Sequence, residues 1–352
     1  MPMPQPTDFL KRTWAQIRLD AIRQNYRTIA SSLSAGSRIM AIVKADAYGH
    51  GACWSARALR EAGATWFGVS NLDEALQLRS AGITEPILIL AYTPPEEAAR
   101  LAAFSITQTI LTKEYAAALS AQAQKDGVQV RTHIKLDTGM SRIGLLYQHS
   151  GARETLDDIE AICLLPHITA EGIFTHFASA DEEEGEAYTR RQFALFTEAL
   201  DRLEMRGVRF RLRHCCNSAA TLRYPEMHLD MVRPGIILYG LAPTAWMEGI
   251  LPLEPAMELK TVISMIKRIP AQTPVSYGRT FTTDRETAVA TVPIGYADGY
   301  PRCLSNRAHM LVGGQKAPVI GRICMHQFML DVTGIDAQEG MLVTVFGGDG
   351  GT

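Results

Sequence analysis

Between positions 38 and 233 the chain repeats one pattern, a short apolar run followed by a longer amphipathic stretch rich in Ala, Leu, Glu and Arg. No other feature restricts the fold as strongly. Short apolar runs alternating with helical stretches are the pattern of a parallel sheet covered by helices. Strands are expected at 38–44, 66–70, 86–92, 106–110, 128–137, 168–177, 211–217 and 229–233, with clear helices at 52–62, 95–104, 113–126 and 186–205. Eight strands with intervening helices predict an α/β fold, a (β/α)8 TIM-like barrel over 21–243. Beyond Gly240 the proline-rich stretch LAPTAWMEGILPLEPAM breaks the alternation, and β-branched runs follow at 262–269, 288–294, 316–323, 328–332 and 342–346. These predict a mostly β C-terminal domain over 244–352. Ahead of the barrel, 1–12 reads as an N-terminal tail. The alternating stretch TWAQIRLD at 13–20 reads as a strand of a different sheet, expected to join the C-terminal β domain. The acidic run 181–186 is expected to open a solvated helix.

Composition removes several classes of function. With 35 basic and 37 acidic residues the formal net charge is −2, so no overall field draws the chain to nucleic acid or an anionic membrane. The opening MPMPQPTDFLKRTW has no signal-peptide core, and no later run approaches the roughly 20 apolar residues of a membrane helix, so a cytoplasmic protein is expected. Six cysteines (53, 163, 215, 216, 303 and 324) form no CxxC pair and no regular spacing. That predicts neither a metal site nor a disulfide framework, and casts most of them as small buried residues.

Chemistry is concentrated in 39–51, IMAIVKADAYGHG, where Lys44 follows the first barrel run and a glycine-rich turn follows Lys44. A lysine emerging at the carboxyl end of a parallel strand is partly buried and yet reachable; burial lowers its pKa and makes the amine nucleophilic. Tyr48, Gly49 and Gly51 suit a bound aldehyde that carries a phosphate. The same residues also fit a lysine snorkelling at a strand end with Tyr48 packed below it. The barrel reading sets further functional side chains at strand ends: Lys135, Asp137 and Arg142 at the end of the fifth, His176 at the end of the sixth, Asn217 and Ser218 at the end of the seventh, Arg233 at the end of the eighth. Each alone reads equally well as a cap or an ion-pair residue.

The segment VKADAYGHG resembles the pyridoxal phosphate motif of the alanine racemase family. The resemblance continues through IKLDTGMSRIG, MVRPGIILYG, VSYGRTF, PIGYADGYPR and GRICM, so it spans almost the whole chain. It implies that Lys44 binds pyridoxal 5′-phosphate covalently, and that Tyr48, Ser218 and the backbone of Gly235 and Ile236 hold the phosphate. It sets Arg233 on the pyridine nitrogen, with His176 beside the ring and Asn217 near it. A guanidinium stays protonated and cannot hand a proton to that nitrogen, so the ring remains a weak electron sink and simple reprotonation at Cα is favoured over transamination. Racemisation needs a base on each face of the substrate carbanion. Tyr277, by itself an ordinary strand aromatic, matches the second base, contributed in this family by the other subunit, so the resemblance implies a homodimer with shared sites. It further assigns substrate carboxylate binding to Arg142, Cys324 and Met325 and the entrance to Tyr296. Lys135 matches a lysine often carbamylated in this family, a change that would let it pair with Arg142; its alternative is a plain pair with Asp137. The implied reaction is the interconversion of L- and D-alanine, supplying D-alanine for peptidoglycan. Serine racemisation and a catalytically impaired cofactor binder are the alternatives.

The sequence departs from the family in two places. GRICMHQ has His326 where relatives usually carry an aspartate, which replaces a fixed anion by a group that titrates near neutrality. The chain ends at GGDGGT, where relatives are expected to continue with one more helix and strand.

Overall fold

The computed structural model describes residues 12–148 and 152–347. The expected tail up to residue 11, and the expectation concerning the end of the chain after Gly347, lie outside the described residues. Two compact units form among the described residues, one from 19–256 and the other from 12–18 together with 257–347.

The first unit is a closed barrel. Its strands are Arg38–Ile42, Trp66–Val69, Ile87–Ile89, Ile106–Ile110, Val130–Asp137, Ile168–Phe174, Leu212–His214 and Met231–Val232. Neighbours pair in parallel all the way round, and the last strand closes on the first through Met231 with Arg38 and Val232 with Ile39. Met40, Ile42, Trp66, Leu88, Phe174, Leu212 and Met231 form one of its buried clusters. The helices Ala52–Ala62, Lys113–Asp126 and Glu186–Met205 stand where the apolar spacing sets them. The first two end on glycines with positive φ, Gly63 and Gly127, which close the helix without a Cβ penalty. The acidic run opens the long helix through its last residue, Glu186, while the backbone of 180–182 accepts hydrogen bonds from Arg223 and Trp246.

The barrel unit extends past Pro243 to Ala256. The amide of Asn25 donates to the carbonyls of Leu238 and Glu254 and accepts from the Glu254 N–H, which ties the proline-rich stretch to the first helix, Leu19–Ser31.

The second unit is an eight-stranded sheet around a core that includes Val292, Met310, Val312, Phe328, Leu330 and Val343. Thr13–Ile17 pairs antiparallel with Met257–Val262. The strand expected at 262–269 is Met265–Ile269, and Val262 instead ends a separate strand that was not foreseen, Met257–Val262. The break falls where the Ile263 N–H bonds to Met341 and the Ser264 N–H to Thr291, on two different neighbours. His309–Val312 was not foreseen, although the pair Gly313–Gly314, both at positive φ, is the two-residue turn that joins it to Gln315–Ile320. Of the six cysteines only Cys215 and Cys216 are buried and Cys303 is exposed, against the expectation that most would be interior; all six are unpaired. No described helix is long and apolar enough to cross a membrane.

Candidate active site

The carboxyl ends of the barrel strands open on a cavity of about 620 Å³, lined by Lys44, Tyr48, Lys135, Arg142 and His176 and by Asn217, Ser218, Arg233, Gly235 and Ile236. Ten positions singled out in the sequence thus meet in one place, Lys135 within the last three residues of its strand and the other nine past a strand end.

Lys44 sits two residues beyond its strand, ahead of a stretch with no sequence precedent in the pattern. Ala45, Asp46, Ala47 and Tyr48 all have φ between 51° and 56°, a full left-handed turn without glycine. Such a conformation costs roughly 1–2 kcal/mol per residue, so neighbours must hold it. Glu74 does so from the first turn of the helix Leu72–Ser80: Oε1 accepts from Ala45 N at 2.9 Å, while Oε2 accepts from the N–H and hydroxyl of Ser70. His50 donates from Nδ1 to the carbonyls of Ala47 and Tyr48, and Asp46 caps the following helix through Ala52 N at 2.7 Å. Burial first, then the cations Arg142 and Arg233, push the Lys44 ammonium down, with Glu74 opposing. The turn therefore presents an amine that gives up its proton more readily than a surface lysine does.

Arg233 is buried, and every hydrogen-bond partner it has is neutral. It donates to Nδ1 of His214 at 2.8 Å, to the carbonyls of Thr175 and Cys215, and to Nδ1 of His176 at 3.2 Å. Burial lowers it to about 10, so it remains a cation at neutral pH, while burial and the surrounding cations keep His176 well below its ordinary value and neutral. Lys135, 3% exposed, points its ammonium at the ring of Phe174, 4.6 Å away. The plain pair with Asp137 does not form, because Asp137 Oδ1 accepts the backbone N–H groups of Gly139, Met140 and Ser141. Burial, Arg233 and Arg142 hold Lys135 well below its ordinary 10.5. Arg142 makes no hydrogen bond or ion pair with a described residue.

On the opposite wall Tyr48 reaches Gly235, where a Cβ would lie 2.4 Å from the tyrosine hydroxyl; only glycine leaves that hydroxyl in place. Ser218 Oγ accepts from Gly235 N at 2.8 Å, and Asn217 caps the helix Ser218–Arg223 through Ala220 N. The Asn217 carbonyl oxygen is therefore committed to the backbone.

Tyr277, Tyr296, Cys324 and Met325 belong to the second unit, where they form their own group. Tyr296 N donates to Cys324 O at 3.1 Å and Ala297 N to Met325 O at 3.0 Å. The hydroxyl of Ser276, next to Tyr277, bonds Arg322 O at 2.7 Å. Tyr277 is 69% exposed and Met325 51%. His326 lies 3.9 Å from Asp298, which Arg12 also pairs.

The sequence reading missed Glu74, His50 and His214. His50 was in view within the lysine motif, but Glu74 reads as a surface acid on an amphipathic helix and His214 as a strand residue. Their roles depend on what the fold sets opposite them.

Comparison with known proteins agrees with this geometry. Residues 17–243 match the family described as alanine racemase, N-terminal domain, and residues 256–352 match alanine racemase, C-terminal domain. The chain is 49% identical over 341 residues to the alanine racemase of Desulfovibrio desulfuricans, covering 97% of this chain and 90% of that protein. It is 46% identical to that of Desulforamulus reducens, over 95% of this chain and 90% of the relative. Among solved structures, an alanine racemase of Clostridium difficile superposes with a TM-score of 0.92 at 38% identity, covering 99% of this chain and 89% of the other. The Bacillus anthracis alanine racemase with bound L-Ala-P superposes with a TM-score of 0.89, also at 38% identity, over 98% of this chain and 88% of the other. The chain belongs to the alanine racemase family.

Proposed function

We propose that this chain interconverts L- and D-alanine with two bases, Lys44 on one face of the substrate Cα and Tyr277 of a partner subunit on the other. The observation that carries the reading is the cavity itself: an accessible lysine of lowered pKa and a buried arginine without a carboxylate partner, facing one space.

Pyridoxal 5′-phosphate fits these residues. Lys44 is positioned to hold its aldehyde carbon, Tyr48 and Ser218 with the backbone of Gly235 and Ile236 to hold its phosphate, and Arg233 to meet its pyridine nitrogen, with His176 and Asn217 around the ring. The close approach of Tyr48 and Gly235 supports the phosphate assignment. When bound, the cofactor withdraws electrons from the substrate Cα. The chain's own residues do the rest. Lys44, whose lowered pKa makes its amine available as a base, removes or returns a proton on its face, and Tyr277 exchanges the proton on the other. The 69% exposure of Tyr277, with Met325 and Tyr296 exposed beside it, is what a site completed by a second copy calls for. The binding of the substrate carboxylate falls to Arg142 and the backbone of Cys324 and Met325, with Tyr296 at the entrance.

Lys135 is proposed as a carbamate. Carbon dioxide reacts with the uncharged amine, the form that burial and the nearby cations favour at Lys135, and the resulting anion would pair with Arg142, which lacks an anionic partner among the described residues. The product D-alanine suits a cytoplasmic supply to peptidoglycan.

The test is conversion of L-alanine to D-alanine by this chain with excess pyridoxal phosphate, with L-serine run in parallel. Turnover of alanine supports the reading, and a preference for serine would reassign the substrate. Cofactor binding without turnover of either would reduce the chain to an impaired binder.

A further inference from the structure

Arg233 has no anion among its partners, and a buried cation without one is costly. Behind it runs a line of groups through the barrel interior. The Arg233 guanidinium is 2.8 Å from Nδ1 of His214; Nε2 of His214 is 2.9 Å from Nδ1 of His133; and Nε2 of His133 faces Oε1 of Glu171 at 3.7 Å. A guanidinium can only donate, so His214 Nδ1 must be an acceptor and its proton must sit on Nε2. That proton can only go to His133 Nδ1, which must then be an acceptor too. The His133 proton is left on Nε2, pointing at the Glu171 carboxylate. Neither ring can take a second proton without setting donor against donor. Burial, which pushes both imidazoles down, agrees with this.

The fold departs from regularity to make this line. The fifth and sixth barrel strands pair Thr132 with Ala170 and His133 with Gly172, so Glu171 is the extra residue of a β-bulge, a device that re-aims a side chain. At Gly172 a Cβ would lie 2.6 Å from the His133 ring, so the bulge is followed by the one residue that leaves space for the imidazole. His214 stacks on Phe174, centroids 4.8 Å apart and 8° from parallel, and His133 packs against Trp66. Thr107 donates to Glu171 Oε1 at 3.2 Å, and Arg211 lies 3.9 Å from Oε2. His133 Nε2 is buried with no hydrogen-bond partner at this separation, and a shift of under an ångström of the carboxylate supplies one.

We propose that Glu171, His133 and His214 form a one-way hydrogen-bonded relay in which every proton points from Arg233 toward Glu171, so that Glu171 is a positioning residue and the remote counter-charge for the arginine. The proposal rests on the assignment of Arg233 to the pyridine nitrogen made above. Neutral imidazoles in series pass the carboxylate's polarisation inward, because chained hydrogen bonds strengthen one another. Arg233 is thereby kept cationic and fixed in direction without an anion at the cofactor itself.

Histidine ring ¹⁵N spectra of the cofactor-loaded enzyme test the relay directly. His133 and His214 should both be neutral with the proton on Nε2 across about pH 6 to 9, whereas free histidines titrate within that range. A proton on Nδ1 of either ring, or a charged ring, overturns the proposal whatever Arg233 binds. The positioning role is tested by Glu171→Gln. Its bound-cofactor absorption band should shift and kcat should fall on the order of tenfold with KM little changed, the effect of a weakened charge-assisted contact. Glu171→Asp should recover part of both. An unshifted band and an unchanged kcat in Glu171→Gln would remove Glu171 from the site. The expected ring protonation combined with no cofactor contact at Arg233 would keep the relay and overturn only the cofactor assignment.

Discussion

Lys135 is a residue whose charge this barrel tolerates poorly, since it is enclosed, lies near Arg233 and Arg142, and lacks the Asp137 partner that its spacing suggests. Its folded value lies well below 10.5, so between those two values the unfolded chain holds a proton that the folded chain has given up. Stability therefore rises with pH through that window. Thermal midpoints of the cofactor-free protein, kept free of carbon dioxide, should climb as the pH is raised toward 10.5, where a paired carboxylate would give no slope. Lys135→Met should remove most of the climb, and an identical slope in that variant would assign the effect to another group. Adding bicarbonate should raise the midpoint of the parent and leave Lys135→Met unmoved, since only a carbamate links carbon dioxide to the folded state. Both the lysine and its aspartate were visible in IKLDTGMSRIG. Their separation was not, because it depends on three N–H groups in the next turn claiming Asp137.

The left-handed turn after the first barrel strand is the element on which the position of Lys44 depends. Ala45 within it is exposed, so enlarging its side chain meets no neighbour and probes only the backbone. Ala45→Val puts a β-branched residue at a φ of 51° and should cost about 1–2 kcal/mol in urea unfolding, and it should weaken cofactor retention as the turn opens. Unchanged stability and retention would mean that the turn is not under strain. The eight barrel strands and the long helices were legible because buried runs and helical spacing are local signals. The turn was not, because ADAY carries no glycine, and its conformation is held by local bonds from His50 together with Glu74, which only the fold brings in. The bulge at Glu171 escaped for the same reason: a one-residue register shift is a property of two strands together.

At the scale of the whole molecule, the proposed sharing of sites between subunits makes a prediction that neither unit makes alone. Lys44→Ala and Tyr277→Phe chains should each be inactive in racemisation. Mixed after unfolding and refolding together, they should recover about a quarter of parental activity, because half of randomly paired dimers carry one site with both bases intact. No recovery would show that both bases come from one chain. The sequence by itself determined what local chemistry can specify: the alternation that makes a barrel, the β-rich second unit, the lysine at the strand end and the set of residues that gather with it. Only the tertiary structure decided how the last barrel strand closes on the first, which conformation presents Lys44, and that Arg233 is held by neutral rings with a carboxylate behind them. The physical reason is separation along the chain. Propensity and periodicity act over a few residues, whereas strain relief, charge compensation and ring closure are settled by groups that meet only after folding.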